Sequence, residues 1–198
     1  RSAEALSRVH LPFQYGAVCS HGGTVLNADL SINQDWHSQM QQVLLPYKAR
    51  LQALMQVIQQ AVDFGSIRTW IVEEQGLGLY LVAKQNTEND NPYAPNFFFL
   101  LLNSLSDELL DGFYFHLNGN NLAFIPKPVS KANAAKFLLQ QLDVPQRSVL
   151  GFGDSLSDVE FLNLCDWWGM PNHSQLNRWV KHNLAQQYVQ EGYYGDYQ

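Results

Sequence analysis

The stretch Ser148-Val-Leu-Gly-Phe-Gly-Asp-Ser-Leu-Ser-Asp158 governs how the rest of the chain is read. Its apolar start, Ser148 to Phe152, predicts a buried strand. The strand runs out among Gly151, Phe152 and Gly153 and delivers Asp154 and Asp158 at its carboxyl end, on the turn into a helix over Val159–Leu164. In open α/β sheets, ligands bind outside the carboxyl ends of the strands. Hard oxygen ligands on a tight, glycine-flanked loop suit Mg²⁺, which takes one or two carboxylates plus waters and a phosphate. Residue types alone also allow a plainer reading. In that reading Asp154 is a turn residue and Asp158 is favoured by the helix dipole. The strand–Gly–Asp–helix context shifts the balance toward chemistry.

Outward from this stretch, helices alternate with strands. Ala132–Leu142 predicts a helix, Asp166–Met170 a short strand and Gln175–Tyr188 a final helix. This alternation predicts a parallel, doubly wound α/β sheet. Gly16–Ser20 reads as a strand of the same style, followed by the flexible His21-Gly22-Gly23 and more extended chain at Thr24–Leu26. Between these pieces, the chain reads helix, strand, strand, helix, strand, strand. The helix near Pro46 keeps Leu51, Leu54, Met55, Ile58 and Val62 on one face. Strands follow at Ile67–Glu73 and Leu79–Ala83, then a polar loop at Asn86–Asn91 and a helix at Phe97–Leu110. Phe113–Leu117 and Leu122–Ile125 flank Asn118-Gly119-Asn120-Asn121, a hairpin signal. The expected organisation is therefore an α/β core from residues 1–30 and 125–198, with an α+β insertion at 31–124.

Composition narrows the function. The chain has 198 residues, with 12 basic and 18 acidic side chains, a net charge of −6 and no basic cluster. That excludes the electrostatic footprint of a nucleic-acid binder. Its longest apolar runs, such as Phe97–Leu102, are too short to span a bilayer, so neither nucleic acid nor membrane is an expected partner. Cys19 and Cys165 give no disulfide framework, which points to a reduced, cytoplasmic setting.

A second feature is Pro128-Val-Ser-Lys131-Ala-Asn-Ala-Ala-Lys-Phe-Leu. Ser130 can cap the helix, which puts Lys131 in the first turn, where a cation opposes the helix dipole. Breaking a local rule beside a candidate anion site motivates a functional role for Lys131. A solvated surface lysine is the ordinary alternative.

Together these pieces resemble the haloacid dehalogenase-like (HAD) phosphatases, in particular their Cof-type and sucrose-phosphate-phosphatase-like branch. Lys131 with its Ala-rich helix resembles the third motif of that superfamily. Gly153-Asp154-Ser155-Leu156-Ser157-Asp158, followed by Phe161, resembles the fourth. Met170-Pro171-Asn172 resembles the Met-x-Asn turn that follows it, and Glu191-Gly192 the acidic-Gly pair near the end. The resemblance implies a Rossmann-like parallel-sheet core with an inserted α+β cap domain. It also implies a Mg²⁺-dependent phosphatase that hydrolyses a small phosphorylated metabolite, such as a sugar phosphate, through an aspartyl-phosphate intermediate. By resemblance, Asp154 is a direct metal ligand, and Asp158 supports the metal through water or orients Lys131. Lys131 binds phosphate and the nucleophile, and Asn172 contacts the substrate. Lys131, Asp154 and Asp158 are then the catalytic set.

The family's first motif, Asp-x-Asp-x-Thr, supplies the nucleophile and the general acid/base, and this sequence does not contain it. The second-motif Ser/Thr is also absent from the sequence, although Arg1 resembles the Arg of the Thr-Gly-Arg often found there, so residues 1–11 would be the helix after that motif and Ser20-His21-Gly22-Gly23 would replace the usual Asn-Gly turn. The expectation is that a leading strand–helix–strand of roughly 40 residues is missing from the chain, by truncation or cleavage.

Two other classes compete. Gly153-Asp154-Ser155-Leu156 also matches the signature of GDSL serine esterases, with Ser155 as nucleophile. Those enzymes carry the signature near the N-terminus and an Asp-x-x-His near the C-terminus, and neither His173 nor His182 has an Asp three residues earlier. The other class is a non-catalytic binding module. Among the six histidines only His21 draws attention, because its loop is expected near the active-site cleft. Trp167-Trp168 is expected to pack the sheet, and the aromatic tail from Tyr193 to Tyr197 to fray or cover the cleft.

Overall fold

A computed structural model describes residues 2–6, 8, 13–61, 67–86, 94–142 and 148–191. Arg1, His10, most of the 86–91 loop, Gly192 and the 193–197 tail lie outside the described residues. The chain divides into two compact units, Arg1–Leu138 and Leu139–Gln198.

The first unit opens with α1 (Ala3–Leu6), β1 (Ala17–Cys19) and β2 (Thr24–Leu26). The strand expected at Gly16–Ser20 forms as β1, but it pairs antiparallel with β2, Val18 opposite Val25. A parallel partner needs a crossover of a dozen or more residues, and the tight turn at Ser20–Gly23 leaves none. The turn is backbone-strained. Ser20, His21 and Gly22 have φ of 51°, 57° and 98°. Left-handed backbone at a non-glycine residue costs roughly 1–3 kcal/mol and persists only where its surroundings over-determine it. Here Gly23 N donates to Ser20 O at 3.0 Å, Trp36 Nε1 to Gly22 O at 3.0 Å and Ser20 Oγ to Glu74 Oε1 at 3.2 Å.

The expected bend at Pro46 separates α2 (Gln34–Leu44) from α3 (Tyr47–Ala61). Asn33 caps α2, its side chain accepting from Trp36 N at 3.0 Å. The expected hairpin forms as β3 (Ile67–Glu74) and β4 (Leu77–Gln85), turning through left-handed Gln75 and Gly76. The helix expected over Phe97–Leu110 is two helices, α4 (Ala94–Ser104) and α5 (Asp107–Leu110). Ser106 breaks the run by accepting from Leu109 N, and an N-cap signal thereby overrides apolar continuity. β5 (Phe113–Asn118) and β6 (Asn121–Pro126) complete an antiparallel sheet of order β3-β4-β6-β5, and α6 (Lys131–Gln141) follows.

Strand alternation gives this sheet two buried faces. Leu81, Ala83, Leu122 and Phe124 pack against Leu51, Leu54 and Ile58 of α3 and Phe98 and Leu101 of α4. The other face presents Tyr80, Val82, Ala123 and Ile125 to Val25, Trp36 and Met40, and to Val129 and Ala134 at the start of α6. The β1–β2 hairpin and the beginning of α6 therefore share one sheet face.

The second unit contains β7 (Leu150–Phe152), α7 (Val159–Leu162), β8 (Trp167–Gly169) and α8 (Gln175–Glu191). β7 and β8 pair in parallel, Gly151 opposite Trp168, as the strand–helix alternation predicts. The expectation that β7 is buried and that the tryptophans pack the sheet does not hold. Leu150, Phe152 and Trp167 are 63%, 70% and 71% exposed. A two-stranded sheet gives each residue few neighbours, and only Gly151 of β7 is buried. Among the described residues no helix is long and apolar enough to cross a membrane.

Candidate functional site

The loop between β7 and α7 is built around Asp158, which is buried. Its Oδ2 accepts from Asp154 N at 3.0 Å, Ser155 N at 2.9 Å and Ser155 Oγ at 2.9 Å. Ser155 and Asp158 form a reciprocal capping box at the 3-10 turn Leu156–Asp158. One carboxylate oxygen thus satisfies three donors of the loop that carries Asp154. Close approach explains the flanking glycines. A Cβ on Gly153 would lie 2.7 Å from Asp158 Cβ, and one on Gly151 2.5 Å from Cys165 Sγ, so neither position has room for a side chain.

Asp154 is exposed, and among the described residues its carboxylate has no hydrogen bond or ion pair. Its backbone is fixed from both sides: its N–H donates to Asp158 and its carbonyl accepts from Leu176 N at 3.0 Å. Leu156 N also donates to Gln175 Oε1 at 3.0 Å, which ties the start of α8 to the loop. The result is one unengaged carboxylate on a rigid turn. That donor set suits a hard cation completed by waters and a ligand oxygen. Among the described residues no group of three or more His, Cys, Asp and Glu is placed to hold a metal ion, so a cation here would take few protein ligands.

The structure therefore brings Asp154 and Asp158 into one loop and gives them different surroundings. Asn172 follows β8 on the turn closed by Ser174 N to Pro171 O at 3.1 Å. It is exposed, and its Oδ1 accepts from Lys181 Nζ at 2.9 Å. Lys131 stands in the first unit, at the first position of α6, half-buried. Ser130 caps that helix as expected, its Oγ accepting from Asn133 N at 3.3 Å.

Sequence reasoning missed Ser155 as a capping residue and Gln175 as the clamp on the loop. The Ser-x-x-Asp spacing carried the first signal. Gln175 carried none, being 19 positions from its partner. Among the described residues, the hydrogen bonds of Ser155 Oγ go to Asp158 and to Ser157 Oγ at 2.8 Å, with no imidazole among them. A serine esterase needs such a base on its nucleophile.

The sequence pattern of the haloacid dehalogenase-like hydrolases matches residues 49–169. No curated protein matches the chain. Among solved structures, the sucrose-phosphatase of Synechocystis sp. PCC6803, in complex with sucrose and phosphate, is 14% identical with a TM-score of 0.55. The match covers 98% of this chain and 70% of that one, and at this identity it is a likeness of fold. Trehalose-6-phosphate phosphatase of Aspergillus fumigatus is 16% identical over 82% of this chain and 58% of its own. Its TM-score of 0.38 is too low to carry an argument.

Proposed function

The chain belongs to the haloacid dehalogenase-like hydrolases, and from that premise we propose that it serves a Mg²⁺-dependent phosphatase acting on a small phosphate ester, a sugar phosphate in particular. The carrying observation is the Gly153–Asp158 loop, where a buried Asp158 organises the backbone and leaves the Asp154 carboxylate exposed and, among the described residues, unengaged. The sucrose and phosphate held by the solved relative of the same fold support the substrate class.

In this reading Asp154 is the direct carboxylate ligand. A bound Mg²⁺ would supply positive charge to the phosphoryl oxygens. Asp158 positions Asp154 by tying down the backbone on either side of it, and so reaches the metal through the loop. Lys131 binds the phosphate with its ammonium, and Asn172 contributes to the substrate side. Holding charge in this way is most of what phosphoryl transfer asks of a protein. In the family mechanism a carboxylate attacks phosphorus and the ester oxygen leaves with a proton from the general acid. Water then hydrolyses the acyl phosphate. The attacking aspartate belongs to an Asp-x-Asp-x-Thr motif that these 198 residues do not contain, so we assign this chain the charge-holding groups. The division into a core of 1–30 and 125–198 and a cap of 31–124 belongs to the same proposal. So does a reduced, cytoplasmic setting, in keeping with the free thiols of Cys19 and Cys165.

The test is inorganic phosphate release from p-nitrophenyl phosphate and from hexose and disaccharide phosphates, by protein made from the complete coding sequence. The expected result is release with Mg²⁺ and none with chelator. Release that ignores the chelator would contradict the reading, and hydrolysis of p-nitrophenyl acetate instead would favour the Ser155 esterase.

A further inference from the structure

The turn that carries Asn172 is held by two cations of α8. Lys181 Nζ donates to Asn172 Oδ1 at 2.9 Å, and Arg178 Nη1 donates to the His173 carbonyl at 2.9 Å. Both come from one face of the helix, where residues three apart are neighbours. Among the described residues neither cation has a carboxylate partner, so both direct their charge at amide oxygens of this turn. Ser174 completes the junction, its Oγ accepting from Asn177 N at 3.0 Å at the start of α8.

The contact with Lys181 fixes which way the Asn172 amide faces. An ammonium carries donors and no acceptor, so it binds only the oxygen of an asparagine. With Oδ1 engaged, the exposed side chain presents its Nδ2 hydrogens, for which there is no acceptor among the described residues. Topology sets where that donor stands. β7 and β8 run parallel with Phe152 opposite Gly169, and Gly153 N donates to Gly169 O at 3.1 Å. Asp154 and Asn172 therefore follow the carboxyl ends of two neighbouring strands. The start of α8 closes back on the same loop through Leu176 N to Asp154 O and Leu156 N to Gln175 Oε1, both at 3.0 Å. Asn172 thus lies between two elements that are each bonded to the Asp154 loop.

We propose that Lys181 is a positioning residue that makes Asn172 a dedicated hydrogen-bond donor to the phosphate oxygens of a ligand held at Asp154. This rests on the phosphatase reading given under Proposed function. A donor-only edge, polarised by the ammonium on its oxygen, suits an anionic oxygen better than a sugar hydroxyl, which both gives and takes. Hydrogen bonds to a charged group are about twice as strong as neutral ones. Arg178 holds the backbone of the same turn, so the amide is fixed at its root by one cation and at its tip by the other.

The first measurement needs no ligand. In the full-length protein the Asn172 side-chain NH2 should be ordered on the nanosecond timescale, as read by its heteronuclear Overhauser effect. Lys181→Met should make it mobile, and Lys181→Arg, which restores a donor, should order it again. An amide equally ordered in Lys181→Met would overturn the proposal.

The second measurement is binding of inorganic phosphate and of orthovanadate in the presence of Mg²⁺. Asn172→Ala should raise the dissociation constant about tenfold or more, the scale of one hydrogen bond to a charged group. Asn172→Asp keeps an oxygen for Lys181 but offers no donor, and should raise it at least as much. Lys181→Met should raise it about three- to tenfold, because it removes only the ordering of the amide. In the Asn172→Ala background it should add nothing. Equal losses in both backgrounds would show that the ammonium acts on the anion directly, and would overturn the proposal. So would undiminished binding by Asn172→Asp. A wild-type protein that binds neither anion would contradict the phosphatase reading itself, whereas binding that ignores both residues would contradict this assignment alone.

Discussion

Asp154→Asn should lower Mg²⁺-dependent phosphate release by about 10²–10³-fold or more while leaving the fold intact. The two halves of this expectation come from different parts of the same residue. The backbone N–H and carbonyl of Asp154 are hydrogen-bonded to Asp158 and Leu176, and the substitution leaves both in place. Its carboxylate is exposed and, among the described residues, makes no hydrogen bond or ion pair, so its loss should change stability by no more than about 0.5 kcal/mol. Denaturant unfolding and phosphate release on the same preparation check both halves. A large drop in stability would mean that Asp154 is a structural turn residue.

The opposite pattern is expected one turn further on. Asp158→Ala should destabilise the second unit by about 2–4 kcal/mol, because it strands two buried-loop amides and the Ser155 hydroxyl at once. Asp158→Asn keeps one acceptor oxygen and should cost about half as much. Hydrogen exchange at the Asp154 and Ser155 amides is the sensitive measurement, since both donate to Asp158 Oδ2. The two amides should become strongly unprotected in the alanine variant and partly so in the asparagine variant. Activity should fall alongside protection. If activity were lost from Asp158→Asn while both amides stayed protected, Asp158 would be a direct ligand and not a positioning residue.

These two aspartates also show how far the sequence could be read. The strand, glycines and acidic turn are local features, so Gly153–Asp158 is legible in the sequence as a candidate site on a strand-to-helix turn. What separates Asp154 from Asp158 is which carboxylate points into the loop, and spacing alone does not encode that. The Ser-x-x-Asp capping signal was available and points the right way. The α/β class followed from element alternation, and the parallel β7–β8 pair agrees with it. The break between α4 and α5 was hidden because the apolar run Phe97–Leu102 dominates the pattern, although Ser106 followed by Asp107 and Glu108 is a helix start. The exposure of Leu150, Phe152 and Trp167 was not legible, because burial depends on what packs against a strand and not on its own residues. The meeting of His21 with His116 was equally invisible. It depends on the pairing of β5 with β6, His116 opposite Ala123, and on the hairpin that lays His21 over the same face.

The central claim is that the Gly153–Asp158 loop holds the catalytic cation through Asp154. Titrating the protein with Mn²⁺, as a paramagnetic stand-in for Mg²⁺, and recording which amide resonances broaden tests this most directly. The account predicts broadening centred on residues 153–158 at the lowest Mn²⁺ levels, competed away by Mg²⁺ and absent in Asp154→Asn. Broadening centred elsewhere, or undiminished in Asp154→Asn, would contradict it.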